Sequence, residues 1–181
     1  LIIQLIKKHY PEQLTDFLEL DSNCWFDIPS NKSIDYAPLQ ECLVIEDFEE
    51  ADRLTSSFLR ELAGERAVQR GYVYFSEVKE IPNVDLETLD RLWIAYSRGK
   101  FGFTVQARLL TSLGGRYELL WPRIGWKKDG VWTRYPKSFT WDIAAPEGHM
   151  PLINQLRGVR LMDAILNHPA LLSRRKANSS R

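Results

Sequence analysis

The stretch DFEEADRLTSSFLRELAG, residues 47–64, places Phe48, Ala51, Leu54, Phe58, Leu59 and Leu62 three or four positions apart with charged residues between them. That spacing predicts a helix with one face turned to a core. Asp47 stands where an N-cap belongs and Gly64 where a C-cap belongs. A shorter, mixed helical pattern, YAPLQECLVI, runs just before it from Tyr36. With almost nothing between them, the two predict an antiparallel helical hairpin.

A third helix is signalled by DLETLDRLWIAYS, with Asp85 as cap and Leu86, Leu89, Leu92, Trp93 and Tyr96 inward. A fourth, TVQARLLTSL, follows the loop SRGKFGF and ends at Gly114 and Gly115. Pro151 at a first helical position, followed by LINQLRGVRLMDAIL, predicts a last helix that Pro169 stops. Gly158 falls inside that pattern at ~1 kcal/mol relative to Ala, which points to a packing or ligand reason for it. GYVYFSEV, residues 71–78, has strand-like content without a partner and reads as a strand or a helical turn. The expected class is all-α, a compact helical domain with long aromatic loops.

Three units are expected along the chain. Residues 1–33 read as a helical appendage, broken at Pro11, with a linker rich in turn formers. Residues 34–171 form the core domain, and 172–181 a basic tail. At 181 residues, 44% hydrophobic and 27% charged, the chain can bury a sizeable core. Its 24 basic and 24 acidic residues leave no net field to draw it to nucleic acid or anionic lipid. Cys24 and Cys42 lack metal or redox spacing, which suits reduced thiols. No apolar run approaches the ~20 residues needed to cross a bilayer.

Enzyme signatures for nucleotide, metal or nucleophile chemistry are missing from the sequence. Glu77, Asp90 and Asp142 make no acid–base dyad by spacing. His149 is expected to close a turn and His168 to sit at a helix C-terminus, where the dipole favours a cation; either could instead be an axial ligand to a macrocycle's metal.

What remains is a binding argument. Tyr72, Tyr74, Phe75, Phe101, Phe103, Trp121, Trp126, Trp132, Tyr135, Phe139 and Trp141 fall in loop-like segments, where aromatics can wall a pocket. On the last expected helix, Asn154, Arg157 and Arg160 are spaced i, i+3, i+6, within roughly 120° of one side. Aromatic slabs beside guanidinium groups suit a flat apolar ligand with carboxylates at one edge, such as a porphyrin with two propionates. Ordinary loop anchors and solvated arginines account for the same residues equally well at this level.

Longer blocks carry a resemblance. RGYVYFSEV, DLETLDRLW, YSRGKFGFTVQ, LWPRIGWK, VWTRYPKSFTW and APEGHMPLINQLRGVR resemble the genomes-uncoupled-four family of magnesium-chelatase regulators, over residues 34–170. The resemblance implies a cupped, all-α domain that binds protoporphyrin IX and Mg-protoporphyrin IX as ligands, with no catalytic cofactor. It also implies stimulation of the chelatase through its large porphyrin-handling subunit, without catalysis by the chain itself. Carried over residue by residue, the cradle falls on Phe75, Val78, Tyr135, Asn154, Arg157 and Arg160. Some members have Trp where this chain has Tyr135, so the stacking face would be smaller. Phe139 is added as a wall on physical grounds. A monomer in a chloroplast stroma or cyanobacterial cytoplasm is expected, with peripheral membrane association left open. The competing readings are a helical docking module without ligand and a haem or bilin sensor using His149 or His168.

Overall fold

The computed structural model describes residues 28–153 and 159–172. Helix α1 (Ala37–Val44) leads directly into α2 (Phe48–Ala63), and the two pack together as the hairpin pattern predicts. Asp47 caps α2, its carboxylate accepting from the Glu50 backbone N–H, and Gly64 closes it. Short α3 (Glu65–Arg70) ends at Gly71, which takes the left-handed conformation a side chain would resist. The ambiguous stretch after it is a 3₁₀ helix, Phe75–Glu80, rather than a strand.

Helix α4 (Asn83–Tyr96) begins three residues earlier than expected, after Pro82. Asp85 is therefore not its cap. It is fully buried and accepts from the Tyr36 hydroxyl at 2.8 Å and the Asn31 N–H at 3.0 Å. A carboxylate that looks like local punctuation thus pins residues 28–36 to α4, helped by Thr88 Oγ1 donating to the Pro29 carbonyl at 2.8 Å.

Helix α5 (Phe103–Ser112) has a glycine, Gly102, at its N-cap and no capping side chain of its own. Asp90 of α4 serves instead, accepting from the Thr104 N–H at 2.9 Å and from its hydroxyl. A Cβ on Gly102 would stand 2.9 Å from Asp90 Oδ1, so the close approach requires glycine. Helix α6 (Tyr117–Arg123) leads into a hairpin of β1 (Lys127–Lys128) and β2 (Val131–Trp132), paired antiparallel around Asp129 and Gly130. Both turn residues have positive φ, the conformation a tight two-residue hairpin needs.

The core lies among α1, α2, α4 and α5. Phe48 stacks on Trp93 with ring centroids 6.1 Å apart and meets Phe101 edge-on at 5.4 Å. Trp93 Nε1 donates to Thr55 Oγ1 at 2.9 Å, so its polar atom is satisfied in the dry interior. Phe101 and Phe103, expected among the loop aromatics, are fully buried here, Phe103 as the first residue of α5.

The last helix differs most from expectation. Pro151 follows a cis peptide bond and lies in a bend, and residues 152 and 153 are not helical. The described helix α7 runs only from Arg160 to Leu166; residues 169–172 are helical again, with Pro169 opening that turn rather than stopping a helix. The segment before Pro151 is held from several sides. Gln106 Nε2 donates to the carbonyls of Gly148 at 3.0 Å and Pro151 at 2.8 Å, and the Gly102 N–H reaches the Met150 carbonyl at 3.0 Å. No helix of the described residues is long and apolar enough to cross a membrane.

Candidate functional site

A cavity of about 870 Å³ opens between α2, the turn after α3, the hairpin with the loop that follows it, and α7. Its size is that of a small-molecule site. Leu59 of α2, Val73 and Ile81 around the 3₁₀ helix, and Leu161 and Ile165 of α7 give it apolar sides. Tyr72, Trp126, Trp132, Tyr135 and Phe139 supply aromatic faces.

A chain of ring contacts supports those faces. Trp121 and Trp126 stack 5.8 Å apart at 8°, and Phe139 stacks on Trp141 at 5.4 Å. Tyr135 meets Phe139 and Trp141 edge-on at 5.7 and 5.8 Å. Trp126 is buried within the wall, its Nε1 donating to the His149 carbonyl at 2.7 Å. Trp132 and Tyr135 are each 46% exposed and so keep contact area for a ligand.

The turn that carries Tyr72 is stiffened by Arg70. Its guanidinium lies 4.7 Å from the Tyr72 ring centroid and 4.0 Å from that of Tyr74, and it pairs with Glu77. Glu77 also accepts from the Tyr74 N–H at 2.8 Å.

The charged side chains on the cavity are Arg53, Arg60 and Arg134; among the described residues no carboxylate lines it. Arg53 is paired with Glu50, whereas Arg60 and Arg134 form no ion pair among the described residues. A chain with no net charge therefore presents a cationic, aromatic hollow.

Two of the expected site residues, Tyr135 and Phe139, line this cavity. Phe75 and Arg160 stand next to each other, the guanidinium 5.4 Å from the ring centroid, on the 3₁₀ helix and the start of α7 but outside the lining. Val78 is 2% exposed and packs into the core beneath that helix. Asn154 and Arg157 lie outside the described residues, as does Cys24. Tyr72 and Trp132, grouped with the loop aromatics but not with the cradle positions, line the cavity too, whereas Arg60 and Arg134 were not singled out at all. A second local signal for Trp132 is the Asp129–Gly130 turn, which implies a hairpin and so an exposed face at its second strand.

His149 closes a turn as expected, its N–H reaching the Pro146 carbonyl at 3.0 Å, and His168 follows the end of α7; the difference lies in the charge expected of His168. His149 is 1% exposed, with Nδ1 2.6 Å from the Ile124 carbonyl and Nε2 facing the Thr140 N–H at 3.3 Å. His168 is bonded through Nε2 to the Ile81 carbonyl at 3.1 Å and receives the Ala170 N–H at Nδ1. Burial pushes both pKa values down, so His168 is a neutral tertiary strut and not a cation serving a helix dipole. Both ring nitrogens of each are engaged, and no group of three potential metal ligands occurs among the described residues.

The family model described as GUN4-like matches residues 29–169. A Ycf53-like protein of Synechocystis is 53% identical over 144 residues, covering 80% of this chain and 62% of the relative. The chloroplastic tetrapyrrole-binding protein of Arabidopsis thaliana is 38% identical over 141 residues, covering 73% of this chain and 53% of that protein. The chain thus spans about three fifths or less of the length of these relatives. Among solved structures, GUN4 from Chlamydomonas reinhardtii superposes with a TM-score of 0.77 at 38% identity, over 81% of this chain and 94% of that one. Ligand-free GUN4 of Arabidopsis thaliana gives 0.71 at 38% identity, over 77% and 99%. The all-α architecture is common to all three.

Proposed function

The chain belongs to the GUN4-like family, and from that premise we propose that it is a tetrapyrrole-binding regulatory protein. Its ligands are protoporphyrin IX and Mg-protoporphyrin IX. It stimulates magnesium chelatase through that enzyme's large porphyrin-handling subunit and performs no chemistry itself. It acts as a monomer in a chloroplast stroma or cyanobacterial cytoplasm.

The observation that carries this reading is the cavity's composition: aromatic faces and aliphatic sides with arginines as its only described charged liners. A porphyrin macrocycle is apolar on both faces and carries its carboxylates at an edge. The faces gain dispersion and stacking against Tyr135, Trp132 and Phe139. The propionates gain charge-assisted hydrogen bonds from guanidinium groups, and Arg pairs with carboxylates in a planar fork that Lys lacks. The sensor reading fares worse, because His149 and His168 have no ring nitrogen left for iron.

Fluorescence titration with deuteroporphyrin tests the reading directly, since Trp126 and Trp132 line the cavity and report on a ligand within it. Saturable quenching is expected. Arg60→Ala should weaken binding by ~1.5–3 kcal/mol, the worth of a largely desolvated charged hydrogen bond, without changing the melting temperature. Intact protein that shows no quenching would leave the docking module as the better account. Addition to purified chelatase subunits then checks the regulatory half, with a higher rate at low porphyrin as the expected result.

A further inference from the structure

Asp52 is the one acidic residue on the buried face of α2, and it is 1% exposed. Its Oδ1 accepts from the Leu152 N–H at 2.6 Å, across 100 residues of chain. Its Oδ2 has no hydrogen-bond partner. Tyr135 approaches the same carboxyl and interacts with it, without completing a bond of good geometry to that oxygen. Leu152 and Tyr135 both line the cavity, on two separate loop segments. A single side chain of α2 therefore holds one irregular wall by a hydrogen bond and faces the other.

We propose that Asp52 is a positioning residue whose carboxyl holds the Tyr135 loop and residues 151–153 against α2 in the arrangement that grips a flat ligand, and that its ionisation loosens that grip. The ligand in question rests on the tetrapyrrole-binding reading above; the tie between the walls does not.

The physics is that of a carboxylic acid removed from water. Burial raises its pKa to about 7, against the Leu152 N–H and the Tyr135 hydroxyl, which favour the charged form. The charged neighbours on its own helix are Glu49, which adds a small upward push, and Arg53, which is engaged with Glu50. Tyr135 is the titratable group facing it from the loop; burial, with the Asp52 charge, holds that hydroxyl up to about 12, so it stays neutral. The contact from the 151–153 segment is the Leu152 backbone amide.

Parting the walls would hydrate the carboxyl and return it toward the ordinary value of 3.8. Between that value and about 7 the parted arrangement binds fewer protons, so rising pH favours parting. Above about 7 the carboxyl is ionised in both arrangements and the dependence stops.

Asp52→Asn retains an acceptor for the Leu152 N–H but cannot ionise, and Asp52→Ala removes the tie. Deuteroporphyrin affinity is measured by tryptophan quenching from about pH 6 to about pH 8.5, and wild-type affinity is divided by that of Asp52→Asn to cancel titration of the porphyrin itself. The expected ratio falls by about threefold or more up to about pH 7.5 and is flat above, while Asp52→Ala binds about tenfold more weakly throughout. Without ligand, hydrogen exchange at the Leu152 amide, corrected for its intrinsic rate, should speed up over the same interval in wild type and not in Asp52→Asn. A pH-independent ratio together with identical exchange profiles overturns the proposal, as does wild-type affinity in Asp52→Ala. Should Asp52→Ala fail to fold, the Asp52→Asn comparison decides alone. Should the wild type bind no porphyrin, the proposed function fails while the exchange experiment still judges the tie.

Discussion

Two aromatic clusters of similar composition meet opposite fates in this molecule. Phe48, Trp93 and Phe101 form a dry centre among the helices, each 1% exposed or less. Trp132, Tyr135, Phe139 and Trp141 cluster around the cavity, where Trp132 and Tyr135 keep nearly half their surface open. The first cluster is assembled by the buried faces of α2 and α4, with Phe101 folded in from the short bend before α5. The second rides on a two-residue hairpin and an irregular loop held by a few long-range hydrogen bonds. Aromatic content alone does not separate a core from a binding wall; the scaffold beneath the rings does.

The most severe test of that contrast is Trp93→Ala, expected to cost ~3–5 kcal/mol of stability by emptying the centre, as read from urea unfolding. Gly148→Ala should rank next. Its φ of +77° is strained for a side chain and the new Cβ would stand 2.8 Å from Leu109 Cδ1. A loss of about 1–3 kcal/mol in the same assay would show that the loop behind the cavity wall is tightly pinned despite its irregular path.

Trp132→Ala should then change stability by less than about 0.5 kcal/mol while weakening deuteroporphyrin binding, since the ring is half open and supported on one side. Destabilisation on the scale of Trp93→Ala would erase the distinction between the clusters.

The last expected effect is in the pH dependence of stability. His149 and His168 are held below the ordinary value of 6.5, so the unfolded chain takes up their protons first and stability is lost as pH falls through that value. Asp52 works in the opposite direction: its raised pKa means stability is lost as pH climbs from 3.8 toward about 7. The two trends partly cancel in the wild type. By calorimetry, the melting temperature of Asp52→Asn relative to wild type should therefore rise between about pH 5 and about pH 7 and stay level above. A difference that does not change with pH would show that Asp52 is not a buried acid in solution.

Much of the helical frame can be read from local pattern. The apolar stripe of α2 with Asp47 and Gly64 at its ends is a local fact, and the structure reproduces it. Reading fails where a residue answers to a distant partner. Asp85 resembles a cap in sequence, yet it serves Tyr36 and Asn31. Pro151 resembles a helix start, but the segment takes its path from Gln106 and Asp52. Phe101 and Phe103 resemble loop aromatics, but Phe103 opens α5 beside an Asp90 cap supplied by another helix. Of the candidate site, Tyr135 and Phe139 were visible as aromatics in a proline-bounded loop. Arg60 was invisible, because an arginine on the polar side of a helix carries no sign of what faces it.

The amino-acid sequence by itself determined the all-α class, the extent of α2, α4 and α5 to within a few residues, and the family. Helical periodicity, caps and long runs of identity are properties of neighbouring positions, and they survive without knowledge of the fold. Only the tertiary structure decided which rings are sealed in and which remain open, and that Arg53, Arg60 and Arg134 stand at the hollow. A cavity is a space between segments far apart in the chain, held open by bonds such as Asp52 to Leu152, and no local pattern encodes the distance between its walls.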